Sequence, residues 1–75
     1  MNRTEFENRL LNAKSEEEVI TTLQESPNDF LANINFWKEE MILNISRITN
    51  VPKDEIISTI EDGTILLIKE NYDED

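Results

Sequence analysis

The sequence predicts an all-α protein: a single domain, residues 1–75, built as a small bundle of three helices, the third longest, and a C-terminal element. Two observations predict this class. Apolar residues recur at the three- and four-residue spacing of helix faces, and capping residues stand where each helix would begin. A chain of 75 residues folds as one domain with a thin core. The sequence leaves open whether the acidic tail, residues 70–75, is ordered.

Capping signals define the first two helices. Asn2, with Glu5 three residues later, predicts a helix from about residue 3 to residue 13. Ser15 and Glu18 predict the second helix, to about residue 25. In such a capping box the serine side chain accepts from the backbone N–H of Glu18, and the carboxylate reaches back to that of Ser15.

The third helix is predicted as one continuous element to about residue 49. Ser26 is its expected N-cap and Pro27 its first residue, where the missing N–H costs nothing. The apolar stripe of this helix should face the core and include Trp37.

Phe36 and Leu43 miss that stripe. They are seven residues apart and lie nearly opposite it on a helical projection, with Glu39 and Glu40 beside them. If these side chains are exposed, they form an apolar ridge rimmed by acids, as many protein interfaces are. The alternative is that they face the first helix or the C-terminal segment, because the longest helix of a small bundle is often covered on two sides.

The C-terminal third is ambiguous. Pro52 marks a helix start and Gly63 a helix end, which predicts a helix between them. The alternative is a β-hairpin, because Asp62-Gly63 separates two runs rich in β-branched residues. Helix is favoured, because the second run shows no alternation of apolar and polar residues.

Residues 45–63 resemble the helix-turn-helix of small phage-type repressors, with Asn50-Val51 as the turn. The resemblance implies a DNA-reading helix after the turn. The segment is one residue too long there, and the turn lacks its usual glycine. Acids occupy the positions that would face DNA, at Asp54, Glu55, Glu61 and Asp62, and phosphates would repel them.

Composition narrows the function. The chain has 17 acidic and 7 basic residues, a net charge of −10, with no His and no Cys. Such a charge argues against direct binding of nucleic acid or membrane and favours a protein partner with a basic surface. The missing His and Cys argue against catalysis, and no cofactor or metal is expected. No apolar run approaches the length of a membrane span, and no signal-peptide pattern is seen, so a cytoplasmic location is expected.

The leading hypothesis is a stoichiometric inhibitor of a basic, nucleic-acid-handling protein, acting in part as a nucleic-acid mimic. Phage-encoded anti-defence proteins of the anti-CRISPR type, immunity proteins and antitoxins share this small, acidic, Cys-free profile. A self-associating protein with a homodimer seam on the third helix is the alternative, and a helix-turn-helix regulator the second alternative. The candidate partner-binding residues are Glu16, Glu17, Phe36, Glu39, Glu40, Leu43, Asp54, Glu55, Glu61 and Asp62.

Overall fold

Six α-helices and one 3-10 turn make up residues 1–71, the part of the chain that the computed structural model describes. The helices are α1 Arg3–Asn12, α2 Glu16–Glu25, α3 Asn28–Leu31, α4 Glu39–Thr49, α5 Lys53–Glu61 and α6 Thr64–Asn71, and the 3-10 turn is Ile34–Phe36. The all-α class is confirmed. No strand forms within residues 1–71, so the C-terminal third is two helices and the hairpin alternative is wrong.

The predicted capping residues begin α1 and α2. The Asn2 side chain accepts from the Glu5 N–H at 2.8 Å, and Ser15 accepts from the Glu18 N–H at 3.2 Å. The return half of the second box differs, because Glu18 accepts from the N–H of Lys14 at 2.8 Å instead of that of Ser15. The Glu18 carboxylate therefore holds the backbone at Lys14, one residue before the position that the capping box predicts.

The continuous third helix is the main error of the sequence prediction. The segment divides into α3, the 3-10 turn and α4, and α4 is the longest helix within residues 1–71. Asn33 stops helical continuation, since its side chain accepts from the Asn35 N–H at 3.0 Å and starts the 3-10 turn. The prediction that Ser26 is an N-cap is also wrong. It ends α2, and its buried hydroxyl donates to the Thr22 carbonyl at 2.6 Å.

Two residues in the left-handed conformation form the corners of the C-terminal half. Asn50, with φ of 63°, ends α4, and Gly63, with φ of 82°, follows α5 as predicted. Gly adopts this conformation without a steric penalty, and Asn tolerates it better than most residues. Pro52 immediately precedes α5, so the chain turns sharply between α4 and α5.

The core is formed by apolar side chains from all parts of the described chain. Phe6 is fully buried at its centre and contacts Phe30 and Trp37, with ring centroids 5.3 Å apart in both pairs. Trp37 is 6% exposed, which confirms its predicted place in the core. The other buried apolar residues are Leu10, Ala13, Val19, Leu23, Leu31, Met41, Ile42, Ile45, Ile56, Ile60 and Ile65.

Ser26 is a meeting point for segments from opposite ends of the sequence. Its carbonyl oxygen accepts from Lys69 Nζ at 2.6 Å, and the same ammonium donates to Asn28 Oδ1 at 2.8 Å. The Ser26 hydroxyl lies 3.4 Å from the sulfur of Met1. The positive charge of Lys69 also suits the C-terminal end of α2, where carbonyl groups are unpaired.

The predicted acidic tail falls partly on α6. Glu70 and Asn71 belong to that helix, and residues 72–75 lie outside the described residues. Within residues 1–71, none of the helices has the length and apolar character needed to cross a membrane.

Candidate functional site

Three pairs of the candidate acids lie in the first turns of helices. Glu16 and Glu17 begin α2, Glu39 and Glu40 begin α4, and Asp54 and Glu55 begin α5; all six are exposed. Carboxylates at these positions interact favourably with the positive end of the helix dipole. Helix stability therefore explains why the acids stand here, and the fold then spreads them over three different helices.

Two of the candidate acids are engaged with neighbouring residues. Lys53 Nζ lies 2.8 Å from Glu39 Oε2, and this hydrogen bond lowers the pKa of Glu39 and raises the pKa of Lys53. Asp62 Oδ1 accepts from the hydroxyl and the backbone N–H of Thr64, at 2.7 and 3.0 Å, which lowers the pKa of Asp62. Glu39 and Asp62 thus stabilise the α4–α5 contact and the start of α6.

The predicted Phe36/Leu43 ridge does not form. Phe36 lies in the 3-10 turn and Leu43 in α4, so the two residues do not share a helix face. The Phe36 ring packs edge-on against Phe30, with centroids 5.2 Å apart, and the Arg3 guanidinium covers it at 4.7 Å. Leu43, in contrast, is 47% exposed. The homodimer alternative rested on this ridge and loses its structural basis.

The structure instead forms an apolar groove between α2, α4, α5 and α6, with a volume of about 280 Å³. Its walls are aliphatic: Val19 and Ile20 from α2, Ile45 from α4, Ile56 from α5, and Ile65 and Ile68 from α6. Two candidate acids, Glu16 of α2 and Glu55 of α5, line the same groove. The fold thus brings two carboxylates that are 39 positions apart in the sequence to the lining of one apolar groove. We call this feature the acid-rimmed groove.

The hydroxyl groups in the acid-rimmed groove are already used by the protein. Thr49 Oγ1 donates to the Ile45 carbonyl at 2.8 Å, and Thr59 Oγ1 donates to the Ile56 carbonyl at 2.7 Å. Trp37 also lines the groove, and its indole N–H donates to the Leu31 carbonyl at 3.3 Å. The groove therefore offers a bound molecule apolar contact and two carboxylates, with its hydroxyl and indole protons directed elsewhere.

Few acids on the rest of the surface are neutralised by bases. Arg3 and Lys38 both pair with Glu7, at 3.6 and 3.4 Å, and Arg9 pairs with Glu25 at 2.7 Å. Apart from Glu39, the remaining acids of residues 1–71 are exposed and form no ion pair within that part of the chain: Glu5, Glu16, Glu17, Glu18, Asp29, Glu40, Asp54, Glu55, Glu61, Asp62 and Glu70. Because most of these acids are unpaired, the surface is strongly negative.

Compared with known proteins, the chain matches no protein-family model, no curated protein and no solved structure. Its function must therefore be argued from the chemistry of its own surface. Within residues 1–71, no group of three or more acids is placed to hold a metal ion. Two features of residues 1–71 bear on binding: the negative surface and the acid-rimmed groove.

Proposed function

We propose that this protein is a non-enzymatic binding module that docks on a protein partner with a basic surface. The observation that carries the proposal is the exposed and largely unpaired set of acids on a chain with a net charge of −10. Opposite charges across an interface accelerate association and select among partners. A structural role in the helix first turns and a role in recognition are compatible for the same carboxylates.

Within this class, the protein acts as a stoichiometric inhibitor of a nucleic-acid-handling protein. Such proteins carry basic faces that bind phosphates, and a negative surface that occupies such a face blocks the nucleic acid. This finer proposal is supported by charge and by analogy with small acidic inhibitors of the anti-defence, immunity and antitoxin types.

The test is capture by the tagged full-length protein from a bacterial lysate, with elution by increasing salt and identification of what elutes. The expected partner is a basic nucleic-acid-binding protein released at moderate salt, whose activity is lost at a 1:1 ratio. At about 1 M salt the Debye length is about 3 Å, so charge-driven binding is largely screened. A partner retained unchanged through 1 M salt, or recovery of nothing but copies of the protein itself, contradicts the proposal.

A matched pair of variants tests the charge directly on the purified partner. Glu17→Gln with Glu40→Gln should slow association and reduce its dependence on salt, because exposed charges act mainly on the association rate. Asn8→Gln with Asn35→Gln changes exposed side chains without changing charge, and both quantities should stay as in the wild type.

A further inference from the structure

We infer that the acid-rimmed groove receives the apolar face of a basic amphipathic helix of the partner, with Lys or Arg side chains next to that face. This inference rests on the proposed function and deepens it, because it assigns one part of the acidic surface as the place where the partner inserts side chains. The groove and its two rim acids, Glu16 and Glu55, are the observations that carry it.

The volume of the groove fits side chains better than a small-molecule ligand. Its 280 Å³ lies just below the range of about 300–1,000 Å³ that is usual for ligand pockets. A cavity of about 150 Å³ holds one benzene ring, so the groove has room for roughly two large apolar side chains. Two anchors one helical turn apart, at i and i+3 or i+4, are how an amphipathic helix engages a groove.

The chemistry of the lining points the same way. A small polar ligand needs directed hydrogen-bond partners, yet the hydroxyls of Thr49 and Thr59 donate to carbonyls of their own helices. The lining is otherwise dominated by aliphatic residues from four helices. The groove therefore recognises apolar side chains, and the charges at its rim set the position and orientation of the bound segment.

The rim specifies a basic partner segment. Glu16 lies at the start of α2 and Glu55 at the start of α5, so carboxylates come from two different helices that contribute to the groove. Neither takes part in an ion pair within residues 1–71, and both are exposed. An apolar stripe with Lys or Arg next to it complements this lining, whereas an acidic amphipathic helix would be repelled.

Trp37 provides a direct readout of occupancy. It is the only tryptophan of the chain, it lines the groove, and it is 6% exposed. A molecule seated in the groove changes the surroundings of this indole, while a molecule held elsewhere on the negative surface does not. Fluorescence of the full chain therefore separates groove binding from general charge attraction.

The probe is a synthetic peptide of about 18 residues, with Leu along one helical face, Lys along the other, and no Trp. At a rise of about 1.5 Å per residue such a helix spans about 27 Å, close to the 28 Å longest extent of the molecule. The expected result is saturable 1:1 binding at about 50 mM salt, with a shift of Trp37 emission. A Lys-rich peptide with Ala in place of Leu should bind weakly without the shift, and a Leu-rich peptide with Glu in place of Lys should not bind.

Matched variants locate the binding. Glu16→Lys with Glu55→Lys should weaken binding of the Leu/Lys peptide by about tenfold or more. Glu17→Lys with Asp54→Lys makes the same change in net charge at adjacent first-turn positions that do not line the groove, and should weaken binding less.

A second pair of variants compares a blocked groove with an open one without changing the net charge. Thr59→Phe fills it from α5 and should abolish the shift of Trp37 emission, while Ser58→Phe places the same ring on the neighbouring exposed position and should preserve the shift. Circular dichroism establishes that each variant is folded. If Thr59→Phe does not fold, the rim variants, which alter exposed residues only, still decide the question.

The outcomes separate this inference from the proposed function. Equal binding of the Leu/Lys and Ala/Lys peptides, or equal losses in the two charge-reversal variants, overturns the groove as the docking place but leaves an acidic binding surface intact. Failure of both basic peptides to bind at low salt, together with capture of no basic protein from lysate, overturns the proposed function and the groove inference with it.

Discussion

Replacing Asn44 with Ala removes the hydrogen bonds that fasten α4 to the end of α1. Asn44 Nδ2 donates to the carbonyl oxygens of Leu10 and Ala13, at 2.8 and 3.1 Å. The last carbonyls of a helix have no partner within it, so the Asn44 amide satisfies acceptors that α1 itself cannot. Both amide protons are used, and the amide oxygen accepts from Arg47.

The expected cost follows from these contacts. A part-buried hydrogen bond contributes about 0.5–1.5 kcal/mol net, so two contribute about 2 kcal/mol. Ala forms helix better than Asn by about 0.5 kcal/mol, which offsets part of the loss. The free energy of unfolding of Asn44→Ala should therefore fall by about 1.5 kcal/mol. A domain of this size has a stability of about 4–11 kcal/mol, so the change is a substantial fraction of the total.

Urea unfolding followed by circular dichroism measures this loss. With a slope near 1 kcal/mol per M, typical of the smallest domains, the midpoint should fall by about 1.5 M. Asn8→Ala is the matched control, because Asn8 is exposed in α1 and gains only helix propensity. If the two variants have the same midpoint, the Asn44 bonds contribute nothing and the reasoning fails.

Three further predictions concern the core, a corner and a helix start. Phe36→Ala should lower the free energy of unfolding by about 2 kcal/mol, roughly half the value for a fully buried Phe. Leu43→Ala, at an exposed position, should lower it by less than about 1 kcal/mol, and equal losses in urea unfolding contradict this difference in burial. Gly63→Ala should cost about 1–2 kcal/mol, because its φ of 82° disfavours a Cβ although no atom lies within 4 Å of one; an unchanged melting temperature contradicts this. The pKa of Asp62 is lowered by its bonds from Thr64, so its stabilisation is present at neutral pH and is lost as pH falls below about 4. The stability difference between wild type and Asp62→Asn should shrink over that range, and a difference independent of pH argues against the bonds.

Local signals in the sequence predicted the parts of the fold that depend on local physics. Asn2, Ser15 and Gly63 each act within three residues of their own position, and each has its predicted role. Periodicity also predicts the burial of Trp37, and this prediction is confirmed although the continuous helix that was expected to carry Trp37 does not form. A stripe of apolar residues shows which side chains are buried more reliably than where a helix is interrupted.

The continuous third helix was wrong because apolar periodicity persists across a break. Asn33 competes with the helical backbone by accepting from Asn35, as short polar side chains do. After this break, Trp37 packs against Phe6 of α1 and Phe36 packs against Phe30 of α3. Once the helix is interrupted, the angular argument that paired Phe36 with Leu43 no longer applies.

The acid-rimmed groove was beyond reach of the sequence for a different reason. Its lining comes from four helices and from positions as far apart as Glu16 and Ile68. Glu16 and Glu55 were both among the candidate residues, but nothing along the chain shows that they line one groove. Their place in one lining is a property of tertiary packing, and their neighbours Glu17 and Asp54 do not line the groove.

The meeting of Met1 and Lys69 at Ser26 bears on how this chain can be re-engineered. Since Met1 and Lys69 both contact Ser26, a short linker that replaces residues 72–75 can join Asn71 to Met1 without crossing the molecule. New ends can then be opened at Asn50, an exposed corner between α4 and α5. Such a circular permutant would preserve every helix while changing the order in which they are synthesised, and it would place a fused reporter at a different corner of the same fold.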